Sequence, residues 1–326
     1  MLRRAFFAVS LLWCTGTAFA ATVTDATGRS VEVPEHVTRV LPAGPPAAIL
    51  LQALAPDLML GWTSPVPDNA RALLSPEAAK LPQVPRLTGR EDVTDKIAAL
   101  KPDLILDYGT IAPRYTDLAK ATQQRTGVPT VLFDGALAEI PHTFRLLGGV
   151  LHREDRAETL ARFTEALLAL PAKRDKPPRV LCARGADGQT IVAPGTDLAE
   201  TFTRLGWQLV APPGQGPSRQ ASVEEIRALD PDVLVLADPA MRATIAESAA
   251  WQSIRAVREG HAYVAPVLPF GWVDEPPSIN RLLGYAWLGG SDPRTLAGLF
   301  NAVVYGRALT APQLDTLLAG AHSVQP

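Results

Sequence analysis

Ile97-Ala-Ala-Leu-Lys-Pro-Asp-Leu-Ile-Leu106 and Ile226-Arg-Ala-Leu-Asp-Pro-Asp-Val-Leu-Val235 carry one pattern, with Ile, Ala, Leu, Pro and Asp in the same order. Each copy reads as the end of a helix, a Pro-Asp stop and a buried strand. Proline cannot continue a helix, so the chain turns directly into the strand that follows. One such unit in each half of the chain predicts two similar α/β lobes.

The surrounding sequence extends this grammar. In the first half, strands are expected at Val37–Leu41, Leu104–Leu106 and Thr130–Phe133, with helices at Pro45–Leu54, Lys96–Leu100 and Tyr115–Gln124. In the second half, Arg179–Ala183, Trp207–Val210, Val233–Leu236 and Ala262–Val264 read as strands and Leu198–Leu205 as a helix. Strands alternating with helices through short turns predict parallel sheets covered by helices on both faces. Between the halves, residues 140–172 carry an apolar stripe at helical spacing that Arg153-Glu-Asp-Arg156 interrupts. This segment has no flexible-linker composition, so the lobes are expected to be joined by a stiff helix rather than a wide hinge. The expected organisation is a leader over residues 1–20, an N-terminal lobe over 21–150, a connecting helix over 151–172 and a C-terminal lobe over 173–326.

The leader is read from three features. Arg3 and Arg4 give a positive start, an apolar run follows from Ala5, and Ala18-Phe19-Ala20 supplies an A-x-A cleavage signal. That is the grammar of a secretory signal peptide, and the apolar run is short for a membrane anchor. Cys14 follows Leu11-Leu12 as a lipid-attachment cysteine would, but Trp13 stands where such processing needs a small residue. Ordinary cleavage and a freely diffusing secreted protein are therefore expected. Cys182 is then the single cysteine left, which excludes an internal disulfide and a multi-cysteine metal site.

Composition narrows the function classes. The chain has 326 residues, of which 47% are hydrophobic and 20% charged, with a formal net charge of -2. It is globular in character and lacks the basic excess that nucleic-acid binding requires. No nucleotide-binding, zinc-protease or nucleophile-elbow motif occurs, and the five histidines are scattered without ligand spacing. Neither catalysis nor a bare-metal site is expected, and no cofactor.

In α/β lobes, ligand-contacting groups sit at the carboxyl ends of strands. Those ends offer Trp62, Tyr108, Arg184, Trp272 and Asp274. Large flat rings suit a bulky organic ligand, and an arginine pairs with an anionic group. The alternative places Trp62 in the core and Arg184 in a surface ion pair. In the loop after the last strand, Ser278 is expected to cap a helix beginning at Ile279, while Asn280 and Arg281 read equally as structural or functional.

These residues resemble a family. The start Val23-Thr-Asp-Ala-Thr-Gly-Arg-Ser-Val-Glu-Val-Pro34, the segments Asp95–Leu106 and Ser222–Leu236, and the tail Leu299–Tyr305 are similar to periplasmic binding proteins for iron complexes and cobalamin. The resemblance implies two lobes bridged by one long helix, a ligand cleft between them, and a single-chain carrier serving a membrane permease and its ATPase. It also implies that one acid per lobe docks on the permease. The matching positions are Asp95 and Glu224, and Asp95 is shorter than the family's usual glutamate; both acids also suit a helix N-terminus. The implied cargo is a metal chelate, with a ferric siderophore fitting the aromatic strand ends and Arg184, and with cobalamin, haem and an oxyanion such as molybdate as alternatives. A secreted enzyme on a related scaffold and a non-transport sensor are the readings from other classes.

Overall fold

A computed structural model describes residues 20–87, 92–170, 176–319 and 321–324 of the chain. Residues 1–19 of the expected leader, with Cys14, lie outside the described residues.

The first described elements form a hairpin of β1 (Ala20–Thr24) and β2 (Ser30–Pro34). Its turn is closed by the buried Asp25, whose carboxylate accepts hydrogen bonds from Thr27 and Arg29. Arg29 also donates to the Thr130 carbonyl, fixing the hairpin to the first lobe. That lobe is built on a parallel sheet of β3 (Val40–Pro42), β4 (Leu104–Gly109) and β5 (Thr130–Asp134), in that order. Met59 adds a parallel bridge to Val40 on the outer side, so the Asp57–Trp62 segment runs along the sheet without forming a full strand.

The second lobe contains a six-stranded sheet of β6 (Arg179–Arg184), β7 (Thr190–Val192), β8 (Gln208–Leu209), β9 (Ser218–Gln220), β10 (Val233–Leu236) and β11 (Ala262–Val264). The order is β11-β10-β6-β7-β9, with β8 also beside β6. The β6, β8, β10 and β11 pairs are parallel, whereas β7 runs antiparallel to both β6 and β9. All four residues of β10 are buried, as a strand covered on both faces requires.

The sequence repeat is also a repeat of interactions. Asp103 Oδ2 accepts from the Thr38 amide, the Thr38 hydroxyl and the Arg39 amide at 2.8, 2.8 and 2.9 Å. The Arg39 guanidinium then donates to the Leu100 and Lys101 carbonyls at the helix end. In the second lobe, Asp232 Oδ2 accepts from the Arg179 amide at 2.8 Å, and Arg179 donates to the Leu229 carbonyl at 2.7 Å. The residues before the two prolines, Lys101 and Asp230, share a left-handed backbone with φ of 47° and 42°. Each Pro-Asp unit thus joins a helix end to the start of the neighbouring strand, and the arginine satisfies carbonyls that the helix leaves open.

The segment 151–172, expected as the connecting helix, holds the helix Glu154–Ala169, with residues 171–172 outside the described residues. It packs against the preceding helix, Ile140–Leu151. His152 takes a left-handed conformation at φ 52° and turns the chain. Arg145 pairs with Glu158 and Glu165 across the two helices, so they run antiparallel. The polar interruption at Arg153–Arg156 marks this break. Arg156 donates to Ala53 and Val304 carbonyls, tying the second helix to the first lobe and to the helix Pro293–Val304. The helix Pro293–Val304 also reaches the first lobe, because Asn301 donates to the Leu73 carbonyl at 2.7 Å.

Asp103→Ala and Asp232→Ala are each expected to lower the unfolding free energy by about 1–2 kcal/mol, because each leaves amide donors of a strand start without their acceptor. Urea titration of both variants checks this, and unchanged midpoints would remove the clamp from the account.

Candidate functional site

The ends of β4 and β5 meet at the floor of a cleft. The Gly135 amide donates to the Gly109 carbonyl at 2.8 Å. A Cβ on Gly135 would lie 2.6 Å from the Gly109 Cα, so this close approach requires glycine. Asp107, Tyr108, Gly109 and Thr110 line the cleft from this side. Tyr108 is 2% exposed and its phenol has no hydrogen-bond partner among the described residues. Burial pushes the phenol well above its ordinary pKa, so Tyr108 keeps a neutral, buried O–H.

Trp62 forms part of the wall. Its indole N–H donates to the Ala78 carbonyl at 2.9 Å, which fixes the ring. The ring packs against Phe270 of the second half with centroids 5.5 Å apart, and Phe270 is backed by Tyr305 at 5.8 Å. Both halves of the chain therefore share one aromatic wall.

The opposite side is charged. Arg184, the last residue of β6, has Nε 2.6 Å from Asp274 Oδ2, a close ionic contact outside hydrogen-bond geometry. Its Nη2 donates to Glu275 Oε1 at 3.0 Å. Burial works against the Arg184 charge, but the two carboxylates outweigh it and hold its pKa above the usual value. Burial raises the Asp274 carboxyl, and Arg184 offsets part of that rise. The acids sit on a tightly turned loop. A Cβ at Gly271 would fall 1.8 Å from the Asp274 carbonyl oxygen, and Asn280 donates to the carbonyls of Gly271 and Pro276.

Beneath these groups lies Arg281, buried at 2% exposure. It donates to the Gly135 carbonyl and pairs with Glu200 at 3.3 Å. The Glu200 carboxylate also accepts the Leu137 amide at 2.9 and 2.8 Å. Groups from both lobes thus converge on one buried ionic junction. The cleft above it has a volume of about 850 Å³.

Four of the five expected ligand-site residues, Trp62, Tyr108, Arg184 and Asp274, line this one cleft. Trp272 does not. It is fully buried, edge-on to Trp287 at 6.1 Å, with its N–H toward the Leu268 carbonyl. The tight turn at Gly271 sends this side chain into the core while Phe270 faces the cleft. Ser278 is no helix cap either: its hydroxyl donates to the Pro46 carbonyl, and the helix begins at Arg281. Residues not singled out beforehand as ligand groups are Phe270, Glu275, Tyr115 and Arg86. The first two lie in the loop whose unusual composition was the available signal.

Asp95 and Glu224 lie away from the cleft. Both are exposed in the first turns of the equivalent helices Thr94–Leu100 and Val223–Ala228. Cys182 is buried in β6, and burial pushes its thiol far above the reactive range. His36 and His152, distant in sequence, bring their rings to 6.0 Å. Among the described residues, no group of three or more His, Cys, Asp or Glu side chains is placed to hold a metal ion.

Comparison with known proteins adds a family. A sequence profile described as periplasmic binding protein matches residues 57–267. No curated protein matches the sequence significantly. Solved structures do share the fold. An ABC transporter solute binding protein from Sulfurospirillum deleyianum is 24% identical, with TM-score 0.82 over 91% of this chain and 99% of that one. A molybdate periplasmic binding protein of Haemophilus influenzae is 18% identical, with TM-score 0.68 over 89% and 99%. A triscatecholate siderophore binding protein of Bacillus subtilis, complexed with ferri-bacillibactin, is 18% identical, with TM-score 0.59 over 82% and 96%.

Proposed function

The chain belongs to the periplasmic binding protein family, and on that premise we propose that it is the solute-binding component of an ABC importer, capturing an iron complex of the siderophore type and handing it unchanged to a membrane permease. The mature protein works in the periplasm as a single chain. Among the described residues, no helix is long and apolar enough to cross a membrane.

One observation carries the choice of cargo. The cleft holds about 850 Å³ and its wall is built from Trp62, Tyr115 and Phe270. Sites of roughly 300–1,000 Å³ with aromatic walls suit bulky organic ligands. A bare tetrahedral oxyanion would leave most of that space unfilled and would call for a tight cage of donors instead. Among the described residues, no nucleophile with an adjacent base faces the cleft, which favours capture over turnover.

Delivery rests on Asp95 and Glu224. They are exposed, carry the same charge and occupy equivalent helix starts in the two lobes, so together they offer a pair of anionic docking points to a permease. Reversing both, Asp95→Lys with Glu224→Lys, is expected to abolish uptake of the cargo by cells while its affinity in solution stays the same. Normal uptake by the double variant would sink the docking role.

The binding function itself is tested by tryptophan fluorescence, titrating the mature protein with ferric siderophores, haem, cobalamin and molybdate. Saturable quenching at sub-micromolar concentration by a ferric siderophore is expected. Trp62 is the tryptophan that lines the cleft, so Trp62→Phe is expected to remove most of the signal. A response to molybdate alone, or to none of the panel, would contradict the iron-complex assignment.

A further inference from the structure

The cleft contains arginines, yet it is not a cationic site. Its charged lining is Arg86, Arg184 and Arg281 against Asp107, Asp274 and Glu275. Arg184 is held by both Asp274 and Glu275. Arg281 is held by Glu200, which lies just outside the lining. Arg86 is exposed at the rim and makes no ion pair among the described residues. No arginine deep in the cleft therefore carries charge that its neighbours leave unbalanced.

The arrangement of the acids is fixed by backbone rather than by the long arginine side chain. Glu275 adopts a left-handed conformation at φ 57°, which a non-glycine residue takes only when its surroundings impose it. Gly271 leaves no room for a Cβ beside the Asp274 carbonyl, and Asn280 ties the two ends of the turn together. Two adjacent carboxylates are thereby presented to Arg184 as a rigid pair. The Glu275 side chain is 69% exposed. An ion pair that open to water adds little to folding stability, so its charge acts mainly on what enters the cleft.

Resting on the solute-capture reading above, we propose that Asp274 and Glu275 set the charge selectivity of the cleft, so that it takes a bulky metal chelate of zero or positive net charge and turns polyanionic chelates away. A polyanion entering the cleft meets Arg184 already neutralised and two carboxylates beside it, in a partly desolvated space where charges interact more strongly than in water. A neutral or singly cationic chelate meets no such opposition. It can rest against Phe270 and Tyr115 without displacing the acids.

The test compares two iron complexes on the mature protein: a trianionic ferric triscatecholate and a ferric trishydroxamate bearing one free ammonium group. The wild type is expected to bind the trishydroxamate more tightly by about tenfold or more at low salt. Glu275→Gln, an exposed change that spares the fold, is expected to tighten triscatecholate binding by about tenfold and to weaken trishydroxamate binding by about threefold. The preference is expected to shrink as salt is raised. A wild type that prefers the triscatecholate, or a variant with an unchanged ratio, overturns the charge selectivity while leaving iron-complex capture in place. Binding of neither complex by either protein overturns the iron-complex reading, and this proposal with it.

Discussion

Arg281 is a buried cation, and the base of the cleft is arranged around satisfying it. An arginine removed from water needs an opposite charge and acceptors close by, or the fold bears a cost of several kcal/mol. The answer here comes from both halves of the chain. Glu200, on the helix Asp197–Arg204, supplies the charge, and the Gly135 carbonyl just beyond β5 supplies an acceptor. Glu200 in turn takes the Leu137 amide, so the junction closes on itself. This draws the end of β5 and the start of that helix together, and it sets where the two lobes meet. The strand ends that carry Tyr108 and Arg184 are then obliged to face the same space.

On that floor the cleft divides its work. The aromatic wall of Trp62, Phe270 and Tyr115 supplies contact area with little side-chain freedom to lose. The Arg184–Asp274–Glu275 group supplies a balance of charge rather than an excess of it. Two packed helices at 140–151 and 154–169, and the helix Pro293–Val304 bonded to the first lobe through Asn301, tie the halves together.

What the sequence made legible follows from range. The helix-Pro-Asp-strand units are local, and their copies could be aligned by eye. The clamp they build, Arg39 with Asp103 and Arg179 with Asp232, spans more than fifty residues and appears only when the strands are paired. Strand-end reasoning placed Trp62, Tyr108, Arg184 and Asp274 at one cleft because a parallel sheet aims its carboxyl ends alike. It failed for Trp272, since a turn closed at Gly271 has no periodicity from which to read side-chain direction. The sequence leaves Arg184 open between an anion-binding group and an ion-pair member, because its acidic partners lie about ninety residues away in sequence. In the stripe over 140–172 the polar interruption Arg153–Arg156 marks the break, whereas the close approach of Gly148 and Ala157 that follows from it appears only in the structure.

The central claim is capture of an intact iron complex, one per chain, without chemistry. Native mass spectrometry of the mature protein mixed with a ferric siderophore tests it most directly. The account predicts a single added mass equal to the unaltered complex, which stays the same through prolonged incubation. Recovery of a chemically altered ligand would reveal an enzyme, and a bare protein at saturating ligand would contradict the account outright.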